Sequence, residues 1–332
     1  MDGKKDLMSE HPITLGDIYR ARARIAGVVR RTPLVHSPAL TAATGADVHL
    51  KLEHHQATGS FKLRGATNAV MALTEDERRQ GVVGVSTGNH GRGLAQAAKA
   101  AGIPCTICMS KLVPRNKIEA IRALGAEIRI VGNSQDEAEE EARTLAAQGL
   151  VMIPPFDHAD VIAGQGTVGL EIMEDMPDAD TIVVPLSGGG LIAGIALAAR
   201  TINPAVRVVG VTMDRGAAMH ESLKAGRPVA VEEVESLADS LGGGIGLDNQ
   251  FTFPLVRDLV DRTLLVTENE IADGVRHAYS VERQVVEGGA AVGISALIHR
   301  HLTDTGRTVV VMTGNNIDMD LHRRIINGED VT

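Results

Sequence analysis

The sequence predicts an α/β fold with parallel sheets, and three observations carry that prediction. Strand-like apolar runs alternate with helical patterns along most of the chain. The strands are apolar throughout rather than alternating, as sheets covered on both faces require. No repeat of fixed period and no low-complexity segment breaks the order.

With 332 residues the chain has room for two domains or one large α/β unit. Apolar residues make up 44% of it, enough for a substantial core. A formal net charge of −9 and an aromatic content of 2% argue against a nucleic-acid binder, which needs a basic face and stacking rings. No apolar run approaches the length of a membrane span. The polar, charged stretch 1–11 lacks the apolar segment of a signal peptide and reads as a loose tail.

Residues 48–53 read as a strand and 66–73 as a helix. From residue 82 the alternation becomes regular: strand 82–86, helix 91–101, strand 105–109, helix 115–124, strand 127–131, helix 135–148. The acidic run from Asp136 to Glu141 falls near the start of that last helix, where the helix dipole and solvent both favour it. Cys105 and Cys108 have C-x-x-C spacing, which suggests redox or metal chemistry. Residues three apart on a strand point to opposite faces, so these thiols diverge and form neither a disulfide nor a chelate. Buried thiols in a reducing cytosol are the better account. Pro154-Pro155 marks the sharpest change in composition, and the glycine-rich run from Gly242 to Gly246 is a second. Beyond them come helix 159–173, strand 181–186, helix 191–200, strand 207–211 and strand 263–266. Thr267 and Glu270 have capping-box spacing and start a helix over 268–281. Helix 290–301 and strand 308–312 complete the order.

Four stretches could carry chemistry. In Ser60-Phe61-Lys62-Leu63-Arg64-Gly65, Ser60 is placed to cap the following helix, and Lys62 falls in its first turn. A cation there sits at the positive end of the macrodipole. Either it is a surface lysine, or the misplacement lowers its pKa for covalent chemistry. Ser187-Gly188-Gly189-Gly190 joins a strand to a helix. There, backbone N–H groups and the dipole bind a phosphate, unless the run is only a tight turn. Without a P-loop lysine or G-x-G-x-x-G spacing, it suits a single terminal phosphate. Ser86-Thr87-Gly88-Asn89-His90-Gly91 is a second such junction, suited to a substrate carboxylate or to an N-cap by Ser86, Thr87 or Asn89. Thr313-Gly314-Asn315-Asn316 ends a strand, where α/β sheets build sites and also place plain turns.

Taken together and in this order, the four stretches resemble the fold-type II pyridoxal-phosphate enzymes, specifically the threonine/serine dehydratase and serine racemase group. The resemblance runs from about residue 18 to 317 and includes Ala163-Gly164-Gln165-Gly166-Thr167 and Glu287-Gly288-Gly289-Ala290. It implies two parallel-sheet α/β domains with the cofactor between them. Residues 1–80 and 157–332 are expected to form the large cofactor-binding domain, and 81–156 the small one. Lys62 is implied as the residue that holds pyridoxal 5'-phosphate as a Schiff base and shuttles the substrate α-proton. Phe61 is implied beside the pyridine ring, Asn89 at the ring hydroxyl, and Thr313 facing the ring nitrogen. Glu287 is implied as a further cofactor-binding residue. Ser187, Gly188, Gly189, Gly190 and Leu191 are implied as the phosphate cup. Ser86, Thr87, Gly88 and His90 are implied to line the substrate carboxylate loop.

The departures from the group sharpen the expectation. Where serine racemases carry a second catalytic serine, this chain has Thr87. At the positions matching the racemases' cation-binding carboxylates it has Thr212 and Ala218, so no metal is expected. The segment Asp239 to Asn249 is similar to the branch named for hydroxyectoine utilisation. The expected enzyme is a cytoplasmic, homodimeric lyase that eliminates water and then ammonia from a β-hydroxy amino acid. A racemase, a β-replacement synthase and a non-catalytic binding protein are the alternatives.

Overall fold

The computed structural model describes residues 11–331, apart from positions 87 and 114. The first part of the chain forms α1 (Leu15–Ile25), β1 (Leu34–His36), α2 (Pro38–Thr44), β2 (Asp47–Leu52), α3 (Lys62–Ala72) and α4 (Glu75–Gln80). Next come β3 (Val82–Val85), α5 (Asn89–Ala101), β4 (Cys105–Met109), α6 (Arg115–Arg122), β5 (Glu127–Ile130), α7 (Gln135–Ala147) and β6 (Val151–Met152). The chain continues through α8 (Ala159–Asp175), β7 (Thr181–Pro185), α9 (Gly190–Ile202), β8 (Arg207–Met213), α10 (Ala218–Ala225) and α11 (Thr252–Leu259). It ends with β9 (Arg262–Val266), α12 (Glu268–Ser280), α13 (Gly288–Ile298), β10 (Arg307–Met312) and α14 (Met319–Ile326).

The strands form two sheets, ordered β1-β2-β10-β7-β8-β9 and β5-β4-β3-β6. All neighbours are parallel except β1, which pairs antiparallel with β2 from Leu34↔Lys51 to His36↔His49. That edge strand has three residues and is largely exposed, so it lacks the apolar run by which the other strands announce themselves. In the larger sheet, Ile182, Val184, Val309 and Val311 pack under α1, α8, α9 and α11. The intervening Val183 and Val310 pack under α12 and α13. Both faces are covered, which is why these strands are continuously apolar.

The smaller sheet behaves likewise. Cys105 joins the cluster beneath α5, and Cys108 joins Val83, Ala138 and Ala142 on the opposite face. Both thiols are free and buried, and burial pushes them up to about 12 and about 11. The Thr267–Glu270 capping box is formed. Two expected caps are not. Phe61, not Ser60, holds the N-cap position of α3, and the Ser60 side chain is buried without a hydrogen-bond partner among the described residues. Ser60 is drawn into a bridge with Gly314, which turns it away from the helix end. At α5 the N-cap is Gly88, and the Ser86 hydroxyl accepts from its N–H at 3.2 Å instead.

Although α3 precedes residue 81, it buries Ala66, Ala69 and Val70 in the core of the smaller sheet. Its other side meets α8 at backbone distance: a Cβ on Gly164 would lie 2.7 Å from Gly65 Cα. Beside this contact, Arg64 is fully enclosed. It donates through Nε and Nη2 to Glu53 at 2.7 Å each, and through Nη1 to Glu171 at 2.7 Å and Thr167 at 3.0 Å. Lys51 donates to Glu171 at 2.6 Å and to the Thr32 carbonyl at 2.7 Å. Two cations and two carboxylates therefore balance inside the protein. Burial alone would raise the Glu53 pKa, but the charge and hydrogen bonds of Arg64 override it and hold the carboxyl below its ordinary range.

Breaking a buried pair strands a charge, which costs about 3–5 kcal/mol. Glu53→Gln should therefore lose about that much stability at neutral pH in urea unfolding. Because the folded-state pKa of Glu53 is depressed, its contribution is present above the unfolded-state value and lost as pH falls through the folded one. The difference between wild type and variant should narrow across that acid window. A difference independent of pH would show that the charge of Glu53 is not what stabilises the fold.

Candidate active site

The parallel strands β2, β10 and β7 are neighbours, so their carboxyl ends open on one edge of the larger sheet. The segments that come after them carry Lys62, Thr313 and Ser187–Gly190 respectively. The carboxyl end of β3, in the smaller sheet, leads into Ser86 and Asn89. All four sequence-selected stretches thus lie at carboxyl ends of strands, where α/β sheets build their sites.

Lys62 opens α3. Its Nζ donates to the Pro155 carbonyl at 2.9 Å and lies 5.3 Å from the Phe61 ring centre. Burial pushes the amine down to about 8, partly offset by the attraction of Glu287. The Phe61 backbone is fixed by its N–H to the Thr313 carbonyl at 3.1 Å, so the lysine segment is tied to the end of β10.

Asn89, in the first turn of α5, donates through Nδ2 to Glu287 Oε1 at 2.7 Å and accepts from Asn316 Nδ2. Asn316 N donates to Glu287 Oε2 at 3.1 Å, and Arg92 Nη1 donates to Asn316 Oδ1 at 2.8 Å. Burial raises the Glu287 carboxyl, and Asp239 raises it further, against the hydrogen bonds from Asn89, Ser240 and Asn316. An amide NH₂ has two donors, so Asn89 keeps one for a ligand. His90 is buried, and Nε2 donates to the Ile153 carbonyl at 2.8 Å. Burial, and then the nearby Lys62, push it down to about 3, so it is neutral. Thr87 lies outside the described residues.

Gly190 starts α9, with Gly189 at φ +89° as its N-cap. A left-handed backbone of this kind favours glycine. At Gly188, a Cβ would lie 2.3 Å from the Phe156 ring, so only hydrogen fits. The helix start leaves N–H groups without intrahelical acceptors, beside Ser187 and Leu191. Thr212 spends its hydroxyl on Met213 Sδ at 3.4 Å, and Ala218 has no oxygen to add.

This donor set fits pyridoxal phosphate. A desolvated lysine hydrogen-bonded to a carbonyl rather than to a carboxylate suits the aldehyde. A glycine-rich helix start suits the phosphate, and the buried Ser60 hydroxyl two residues before Lys62 has no partner among the described residues. Over residues 25–314 the chain matches the family described as pyridoxal-phosphate dependent enzymes. It belongs to that family. The enzyme is 58% identical over 318 residues to a Sinorhizobium fredii protein provisionally named a threonine dehydratase, covering 95% of this chain and 96% of that one. It is 44% identical to an L-threonine ammonia-lyase of Thermotoga maritima, covering 95% of this chain and 78% of the relative. Among solved structures it resembles maize serine racemase, with a TM-score of 0.90, 34% identity, and 96% and 98% of the two chains covered. The resemblance to the hydroxyectoine branch is not represented among these relatives.

Sequence reasoning missed three participants. The Pro155 carbonyl and the Phe156 ring leave no signal, because a backbone acceptor and a lone aromatic have no pattern. Arg92 could have been found, since it stands three residues after Asn89 and shares its helix face.

Only the neutral amine of Lys62 is nucleophilic. In apoenzyme, competitive labelling with acetic anhydride should show Lys62 half-reactive near pH 8. A short lysine peptide labelled in the same tube should reach that point at about pH 10. A Lys62 profile that coincides with that of the peptide would contradict the desolvated environment.

Proposed function

We propose that the enzyme is a dehydratase that removes water and then ammonia from a β-hydroxy amino acid of the threonine or serine type, leaving an oxo acid. The observation that carries the reaction class is the 44% identity to L-threonine ammonia-lyase of Thermotoga maritima over 95% of this chain. The geometry around Lys62 supports it.

When bound, pyridoxal phosphate supplies an electron sink for negative charge left at the substrate α-carbon. In this reading Lys62 holds the cofactor, and Ser187, Gly188, Gly189, Gly190 and Leu191 receive its phosphate. Phe61, Asn89, Glu287 and Thr313 would line the space for its ring. With a pKa of about 8, Lys62 Nζ can take the α-proton and return it near neutral pH. Glu287 keeps the Asn89 amide in one orientation, and Asn316 holds it from the other side. Ser86, Thr87 and Gly88 are assigned to the substrate carboxylate. His90, neutral and bonded to a carbonyl, would shape that loop without adding charge. The enzyme is assigned to the cytoplasm as a homodimer, with residues 81–156 as its smaller domain; among the described residues no helix is long and apolar enough to cross a membrane.

The similarity to maize serine racemase supports racemisation as a second reading. Inversion needs an acid/base on both faces of the α-carbon, whereas elimination needs one and a leaving group. Lys62 serves one face. At the position that matches the racemases' second catalytic serine this chain has threonine, whose β-branch restricts its rotamers.

Incubation with L-serine or L-threonine in deuterated water, scored for oxo acid against inverted amino acid, separates the readings. Oxo acid should dominate; inversion outpacing it would install the racemase. Lys62→Ala should cut turnover by at least about 10³-fold while circular dichroism stays unchanged. Full activity in that variant would remove Lys62 from the chemistry.

A further inference from the structure

Three arginines drawn into the interior of this protein meet acids. Arg64 pairs with Glu53 and Glu171, Arg200 with Asp261, and the half-buried Arg276 with Asp273. Arg92 departs from this. It is half-buried, and its one hydrogen bond goes to a neutral amide, Asn316 Oδ1. Among the described residues no carboxylate comes within ion-pair distance of it; Glu287 attracts it from further away, with its own oxygens engaged by Asn89, Asn316 and Ser240. It is also the fourth residue of α5, near the helix end that repels a cation. A guanidinium offers five N–H donors in a planar fork matched to a carboxylate, and here one is used.

Its direction is fixed. Asn316 takes Arg92 on Oδ1 and gives Nδ2 to Asn89, whose own Nδ2 reaches Glu287. The guanidinium is therefore tied through Asn316 to Asn89, and the backbone of α5 lies against Lys62: a Cβ on Gly93 would be 3.1 Å from Lys62 C.

We infer that Arg92 is a specificity-determining residue that pairs with a second carboxylate on the substrate, so that the preferred β-hydroxy amino acid is dicarboxylic, as in 3-hydroxyaspartate. This deepens the dehydratase reading and rests on it. The reaction balances: a proton leaves Cα, hydroxide leaves Cβ as water, and one water returns to release ammonia, so hydroxyaspartate gives oxaloacetate and ammonium. Threonine and serine lack the second carboxylate and leave Arg92 unpaired, which is the kind of difference that separates substrates strongly.

The test uses holoenzyme, wild type and Arg92→Gln, a change that keeps an N–H donor for Asn316. Wild type should prefer 3-hydroxyaspartate over L-serine by about 100-fold in kcat/KM. The variant should lose that advantage mainly through KM, with a loss on L-serine at least about tenfold smaller. Independently of turnover, succinate should raise the melting temperature of wild type and not of the variant, while propionate raises neither. Equal losses on both substrates, no preference in wild type, or equal stabilisation of both proteins by succinate would overturn the inference. If wild type turned over neither amino acid, the dehydratase reading would fail, and the succinate comparison alone would decide the role of Arg92.

Discussion

The enclosed guanidinium of Arg64 is the constraint on which the site depends. It stands two residues after Lys62 and bonds to Glu53, at the end of β2, and to Glu171, in α8. Those contacts fix the first turn of α3 from two directions. Lys51 then closes the charge balance at Glu171, and the Thr32 hydroxyl donates to Glu53. A buried quartet of this kind is weak evidence for stability, because desolvation offsets much of the attraction. Its value here is geometric: Arg64 ties the start of α3 to Glu53 and to Glu171 of α8 at once.

Most of the fold was legible because its strands are buried on both faces. Ile182 and Val184 face one helix layer and Val183 the other, so the sequence must be apolar throughout. β1 escaped the same logic, being short, exposed and antiparallel. The short helices α2, α4, α10, α11 and α14 also escaped, because six to eight residues give too little periodicity to read. The four chemical stretches were visible for a related reason. Each leads the chain away from the carboxyl end of a strand, and such junctions in α/β sheets carry glycine, serine and asparagine.

The charged interior was not legible. Arg64 and Glu171 are 107 positions apart, and in the sequence each looks like an ordinary surface residue. Only the fold brings them together, through the backbone contact of Gly65 with Gly164. Ser60 shows the opposite failure. Its type and position favour a cap, but tertiary pairing with Gly314 takes the backbone first. Local preference gave way to a distant contact, as expected where a cap is worth about 1 kcal/mol and a buried β-bridge is not optional.

The connection from the smaller sheet back to the larger one is itself part of the site. Ile153 N donates to the Val83 carbonyl at 3.0 Å, and the Ile153 carbonyl accepts from His90. Pro155 accepts from Lys62, and the Phe156 ring fills the space that a side chain at Gly188 would need. Asp157 accepts from the N–H groups of Gln250, Phe251 and Thr252 at 2.8–2.9 Å, which ties the connection to the start of α11. The short run from Ile153 to Asp157 therefore touches His90, the lysine, the glycine run and a helix start. Two prolines stiffen the connection, which suits a segment that must hold several contacts at once. Any rotation of one sheet against the other would pull on the acceptor of Lys62 and on the ring behind Gly188 together. The Lys62 amine and the glycine run at Gly188 thus share one short stretch of backbone, Pro155 and Phe156, as their neighbour.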